Sequence, residues 1–479
     1  MNIVSLKCCL VGALAAMLGG CLVGPNYHRP PAPVPAQFKD LSDWTPAAPA
    51  DAAPKGDWWT DFHDSLLDGL EPLVAVSNQT VRQDYENYQQ ALAEVQVARA
   101  QLFPTIGITG SVTRAGGPGY NGGVTTAGHG GAINTGTLEG TASWTPDLWG
   151  QVRRLIEENA AIAQSDEAIL ANATLSEQTL LATSVIELRL ADEDIDLQTK
   201  TVESYRDALR VVQAQATAGI TATPPSAVIT AQVALETAQA TLINLGVARA
   251  QYAHAIAVLV GKNPEDLDIP HSAAMPTLPT VPIGLPSTLL QRRPDIAAAE
   301  RTMAAQNAAI GVAVAAYYPT VSLSAAAGFS QAPLENLLRT ANHVWSIGAT
   351  GTETVIDFGE RHAEVQAAKA AYEAAVANYR NTVLNAFEDV ENDLSGLRIL
   401  ADEAQALDIA VRDAIRGTAI ALAEFQAGTV DYTTVAAAQE TQLSNQQTAL
   451  SVQESRLADA VALIGDLGGG WSASQLHNP

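Results

Sequence analysis

Cysteine is nearly absent: the 479 residues hold three, Cys8, Cys9 and Cys21. A dense disulfide framework and a cysteine-based metal site are therefore excluded. Aromatic residues make up only 5% of the chain, and alanine dominates its 47% hydrophobic share. A thick globular interior needs larger side chains, so this composition favours long helices packed at close range. Positive charge is scarce too, with 26 Lys plus Arg against 51 Asp plus Glu and a formal net charge of −25. Nucleic-acid binding needs a basic face and is excluded on that ground. Beyond the first twenty residues there is no run of 18 apolar residues, and mean hydropathy is only +0.06, so no transmembrane helix is expected. The eight His are scattered, without HExxH spacing, and neither GxxxxGK[ST] nor GxSxG occurs. An enzyme is not expected, nor a metal, nor any cofactor beyond a covalent lipid. Length alone suggests about three domains; the composition points instead to one elongated unit.

The N-terminus indicates the compartment. Lys7 precedes the apolar stretch 8–18, which has signal-peptide length and is too short to span a bilayer. It ends in Leu18-Gly19-Gly20-Cys21, which resembles the bacterial lipobox, whose cysteine carries diacylglycerol and becomes the first mature residue. Cys21 is the candidate lipidation site; the alternative is an incidental buried thiol. Leu22 rather than Asp follows, which the same resemblance associates with the outer membrane. Residues 22–56, rich in Pro, Ala and Asp, read as an extended tether.

The remainder repeats itself once. Phe103-Pro104 aligns with Tyr318-Pro319, Asp147-Leu148-Trp149-Gly150 with Asp357-Phe358-Gly359, and Ala218-Gly219-Ile220 with Ala427-Gly428-Thr429, at offsets of 215, 209 and 209. Such order and spacing indicate two copies of one supersecondary unit. Each copy opens with a helix, at 78–102 and 287–317, stopped by proline. Strands follow. Ile106, Ile108 and Val112 share one parity and Thr109, Ser111 and Thr113 the other, as Val321 and Leu323 oppose Ser322 and Ser324. A glycine-rich loop, 114–136 or more weakly 330–343, precedes a second alternating stretch.

Residues 151–218 and 360–427 then run for 68 residues each without proline. Leu181, Leu188, Ile195, Val202 and Leu209 recur every seven residues, as do Val390, Leu397, Ala404 and Val411, which is the spacing of a coiled-coil seam. A helix of that length is a rod of ~100 Å. Return helices carry Val228, Leu235, Leu242 and Ile256, interrupted by Arg249, and Leu443, Leu450, Leu457 and Ile464. Their lengths place a shorter helix above and another below along each rod.

Four amphipathic strands cannot close a barrel, and open strand edges are not tolerated in hydrocarbon. If the strands lie in a membrane, oligomerisation is obligatory, and three chains would give twelve strands, enough to leave a lumen. The alternative is a small soluble sheet capping a coiled coil.

Cys21-Leu-Val-Gly-Pro-Asn-Tyr-His-Arg-Pro30, Trp58-Trp59-Thr-Asp-Phe62 and Leu290-Gln-Arg-Arg-Pro-Asp-Ile-Ala-Ala-Ala-Glu-Arg301 resemble the outer-membrane factor family, the TolC-like efflux lipoproteins. The resemblance implies a mainly α fold with a small β part: a coiled-coil tunnel plus four transmembrane strands per protomer, closing as a 12-stranded barrel in a homotrimer. It implies a signal peptide at 1–20, a lipidated equatorial segment at 21–77, repeats at 78–261 and 287–465, a linker at 262–286 and a tail at 466–479. It further implies an outer-membrane exit duct that passively conducts drugs or other toxic small molecules, partnered by a periplasmic adaptor, an inner-membrane transporter and outer-membrane lipid. The rival readings are a protein-secretion duct and a non-conducting structural coiled-coil lipoprotein.

The two helical tips are the candidate sites. The resemblance places a constriction carboxylate at Asp431, where three copies would converge, repel one another and attract cations; the residue type alone equally fits a helix N-cap. Gly219 and Gly428 are expected to break the helices, and Ile220, Val430 and Tyr432 are candidate adaptor contacts. The first tip carries Pro224-Pro225 and no acid, so the tips are not equivalent. The run Asp192-Glu193-Asp194-Ile195-Asp196 reads as a solvated helix face, with a lumen lining as the alternative. Arg293-Pro294-Asp295 reads as a helix start.

Overall fold

The computed structural model describes residues 22–35, 38–39, 56–116, 120–121, 124–125, 132–219, 224–281, 286–332, 334 and 336–479. The signal segment 1–20 and the candidate residues Cys21 and Ile220 lie outside them. Eight helices form: α1 Ser65–Ser77, α2 Gln79–Ala100, α3 Gln151–Thr217, α4 Pro225–Leu259, α5 Pro286–Arg292, α6 Pro294–Ala315, α7 Glu360–Gln426 and α8 Tyr432–Asp466. The strands are β1 Thr105–Ala115, β2 Tyr120–Asn121, β3 Val124–Thr125, β4 Ile133–Trp144, β5 Thr320–Gln331 and β6 His343–Thr352.

Both rods are 67 residues and both return helices 35. The repeated Asp explains where each rod begins: Asp147 accepts hydrogen bonds from the backbone N–H groups of Val152 and Arg153, and Asp357 from those of Gly359 and Arg361. Arg153 and Arg361 also donate to the same carboxylates through Nε, at 3.1 and 2.6 Å. At the far ends Gly219 and Gly428 adopt φ of +70° and +74°, a backbone that L side chains resist, and both rods stop there. Helices α2, α4, α6 and α8 pack on α3, while α6 and α8 also pack on α7. Short helices thus flank each rod end to end.

The heptad rows mark the seam only in part. Leu181, Leu188, Val202, Val390 and Leu397 are buried, but Val228, Leu235 and Leu242 are half-buried while Ala227, Ala231 and Ala238 are buried instead. Alanine lets α4 approach α3 closely, so the larger residues turn outward. The 287–317 helix is corrected to two helices. Arg293 breaks them at φ −83°, ψ 121°, because the residue before proline is pushed from the helical region. The loop at 114–136 is likewise shorter than its glycine content suggests: β1 and β4 stay paired up to Ala115 opposite Ile133.

The described part of the expected tether is pinned to the helices as a strap. Residues 22–35 and 38–39 form neither helix nor strand and are pinned at intervals. Val23 donates to the Trp149 carbonyl at 3.2 Å, and buried Arg154 holds the carbonyls of Val23 and Gly24 and the side chain of Asn26. Gly24 lies so close to Gly311 that a Cβ would overlap its Cα. Tyr27 bonds Glu300, Arg29 bonds the Tyr379 hydroxyl, and Phe38 packs edge-on to Phe387.

Candidate functional site

The four long strands form one antiparallel sheet in the order β1-β4-β5-β6. Its register aligns like with like. Ile108 lies opposite Gly140, Ala327 and Trp345 in turn, and Ile106 opposite Ala142, Ala325 and Ile347, so one face carries apolar rows from edge to edge in its lower half. The other face aligns Thr105, Ser143 and Ser324, with Thr105 and Ser143 hydroxyls 2.7 Å apart, and Ser111 with Thr137 at 2.7 Å. Ile106, Ile108 and Ile347 are 81, 82 and 79% exposed, a large cost in water that hydrocarbon removes. At 10 to 12 residues the strands match the ~9–11 needed for a tilted bilayer crossing. Among the described residues no helix is long and apolar enough to cross.

Below the sheet, Trp149 stacks on Tyr318 at 4.8 Å and donates to the Pro319 carbonyl at 2.8 Å, tying the rod of one repeat to the strand start of the other. At the opposite end of the rods, Ala208, Val212, Ala227, Ala231, Phe425 and Tyr432 join in one cluster, so the two tips close on each other. Gln215 adds a hydrogen bond to the Phe425 carbonyl at 3.3 Å.

Asp431 is exposed and caps α8. Its Oδ1 accepts from the Thr433 hydroxyl at 2.6 Å and from the Thr434 N–H and hydroxyl at 3.2 Å, and these bonds hold its carboxyl below the usual range. Gly219 and Gly428 are exposed at the turns and Val430 is half-buried. Tyr432 is turned inward, 1% exposed, with its ring edge-on to Phe425 at 5.8 Å. Burial pushes its hydroxyl pKa up.

The acidic run is not a uniformly solvated face. Asp192 is fully buried, with Oδ1 accepting from Arg249 Nε at 2.6 Å and Oδ2 from the Ser272 N–H at 2.9 Å. His271 places its two ring nitrogens 2.9 and 3.0 Å from Asp192 and Asp196. This network fastens the 262–281 linker to α3 and α4, and Arg249 was its sequence signal, as the one charge in an apolar row. Arg189, which bonds Asp64 at 3.0 Å, gave no comparable signal. Among the described residues no group of His, Cys, Asp and Glu could hold a metal ion.

An amphipathic bilayer-length sheet on paired rods of ~100 Å defines an outer-membrane channel component with a periplasmic helical tunnel. The sequence profile described as outer membrane efflux protein matches residues 72–262 and 285–469, and the chain belongs to that family. It is 30% identical over 469 residues to the probable efflux pump outer membrane protein TtgC of Pseudomonas putida, covering 95% of this chain and 94% of that protein. It is 27% identical over 462 residues to the cation efflux system protein CusC of Escherichia coli, covering 96 and 97%. The solved outer-membrane channel OprN superposes with a TM-score of 0.87 at 27% identity, over 94% of this chain and all of that one. The chain is thus the outer-membrane exit duct of an efflux pump, not an enzyme.

Proposed function

We propose that three copies of the chain close a 12-stranded barrel over a 12-helix tunnel and pass toxic small organic molecules outward. The carrying observation is that β1 and β6, the two edge strands of an apolar-faced sheet, are each paired on one side only among the described residues. The helices support the same assembly. Ile229, Val233, Ile243, Val247 and Val258 form an exposed stripe on α4, and Leu384, Ile399, Ile409 and Ile420 one on α7, at the two lateral margins of the protomer. Each stripe is a surface for the neighbouring copy.

Cys21 carries the lipid in this reading, because Val23 is held at the Trp149 turn beside the base of the sheet. An adaptor meets the tips through Gly428 and Val430 and delivers cargo from an inner-membrane transporter. Tyr432 contributes by shaping the tip from inside. Asp431 is the gate carboxylate, and capping through Oδ1 is compatible with that role. The cargo class follows the efflux relatives of Pseudomonas putida, which are named for toluene and antibiotics.

Single cysteines along β1 and β6 should cross-link between chains, and the reconstituted protein should conduct ions in planar bilayers. A monomer in native mass spectrometry with no conductance would overturn the assembly and favour the structural coiled-coil reading.

A further inference from the structure

The two repeats correspond residue for residue. Helices α2 and α6 both have 22 residues and begin 215 positions apart, and rods α3 and α7 both have 67 and begin 209 apart. The strand ladders obey the same two offsets. Thr105 faces Ser143 in β1–β4, and Thr320, 215 positions on, faces Thr352, 209 positions on, in β5–β6. Each strand and rod residue of the first repeat therefore has a defined counterpart in the second.

One junction between the repeats is complete within the chain. The last strand of repeat one, β4, pairs with the first of repeat two, β5, setting Thr141 opposite Ala326, Ala142 opposite Ala325 and Ser143 opposite Ser324. Beneath it Trp149, the residue before the rod glycine, stacks on Tyr318, the residue before the strand proline, at 4.8 Å. The reverse junction, from repeat two back to repeat one, has matching parts that stand exposed. β6 and β1 are each paired on one side only among the described residues. Phe358, the counterpart of Trp149, is 100% exposed at φ +53°, a backbone costly for a bulky residue. Phe103, the counterpart of Tyr318, is 68% exposed, and Val355 and Ile356 beside the Phe358 turn are exposed as well.

We propose that a second copy of the chain completes this reverse junction in one register: Thr352 opposite Thr109, Gly351 opposite Gly110, Thr350 opposite Ser111 and Ala349 opposite Val112 of the next copy, with Phe358 stacked on its Phe103. The register is the β4–β5 pairing moved forward 209 positions on one strand and back 215 on the other. The side chains agree with it. Thr352, Thr109, Thr350 and Ser111 bring hydroxyls together on the polar face, and Ala349 meets Val112 on the apolar one; a slip of one residue would set hydroxyls against apolar neighbours. Because β6 of one copy meets β1 of the next, the contact is head-to-tail and closes only as a ring. It differs from its internal twin in one respect. Trp149 donates to the Pro319 carbonyl at 2.8 Å, whereas phenylalanine has no N–H to offer Pro104. The seam between copies is the internal seam less a hydrogen bond, and so the weaker of the two. The register rests on the three-copy assembly proposed above and names the residues that make it.

Paired cysteines in the full-length protein, oxidised in the membrane, test the register. A disulfide tolerates Cα separations up to about 7 Å, which directly opposed residues meet and partners two residues out of step exceed. Thr350→Cys with Ser111→Cys should give a covalent trimer on a non-reducing gel, and Thr352→Cys with Thr109→Cys repeats the test at a second rung. Thr350→Cys with Thr109→Cys or with Thr113→Cys should give none, nor should any single variant. A covalent trimer strongest in an out-of-step pair overturns the register while leaving the assembly standing. A monomer in native mass spectrometry, with no cross-link in any pair, overturns both. Phe358→Ala and Phe103→Ala should each lower the temperature at which the trimer separates, and the double variant should lose no more than the larger single loss. Additive losses, or no loss in either, overturn the stack.

Discussion

The two helical hairpins share lengths, starting turns and glycine breaks, yet they are secured differently. The first, α3 with α4, is bound along its upper half by α1, the linker and the Asp192 network, so that most of Leu181–Asp192 is buried. The second, α7 with α8, has no buried residue from 398 to 420 on α7 and is fastened by Arg293, bonded to Asp389 and Asp466, above and by Phe425 and Tyr432 at the tip. Duplication made two equal rods, and the non-repeated segments made one of them the frame. The second hairpin is therefore the adjustable element.

Asp192→Ala is expected to do the most damage. It strands Arg249 and His271 without their buried carboxylate, a loss of ~3–5 kcal/mol, visible as a lower melting temperature with faster hydrogen exchange confined to α3, α4 and the linker. If α7 and α8 loosen equally, the contrast between hairpins is wrong. Phe425→Ala removes a buried ring at the tip, at ~3 kcal/mol, and should raise single-channel conductance without unfolding the first hairpin; a closed channel with a wild-type melting curve would count against tip packing as the lock.

Glu71→Gln sharpens the comparison through pH. Glu71 on α1 is fully buried, and burial raises its pKa to about 9. Folding favours its protonated form, so stability falls as pH rises from the ordinary carboxylate range towards about 9. The glutamine variant should match wild type at acid pH below the ordinary carboxylate range, melt increasingly higher as pH rises towards about 9 and change first-hairpin protection alone. An unchanged pH slope would remove Glu71 from the frame. The smallest effect is expected at Asp431. Asn caps helices as well as Asp does, so Asp431→Asn and Asp431→Ala separate charge from cap. Raised conductance in both assigns the gate to charge, raised conductance in Ala alone assigns it to the cap, and no change in either removes Asp431 from the gate.

The rods were legible because proline was missing from them and because the Asp and Gly landmarks recur. The strands were legible because parity alone sets which face a side chain takes. What escaped depends on segments distant in sequence meeting in space. Nothing local says that the linker brings His271 to Asp192, or that Arg293 reaches Asp466 across 173 positions. The inward turn of Tyr432 depends on a nearer contact, with Phe425 across the tip turn. Pattern reading took the Pro- and Ala-rich N-terminal stretch as an extended tether without its fastenings, because its bonding partners, Arg154, Glu300 and Tyr379, belong to three different helices.

That stretch has a consequence for the order of events during synthesis. Arg29 is made 350 positions before Tyr379, and Lys39 352 before Glu391. Arg29 and Lys39 must wait for α7 to emerge before these two contacts can form. The seam they seal is a late stitch, and a chain halted before α7 could fasten it at Arg154 and Glu300 but not at Tyr379 or Glu391.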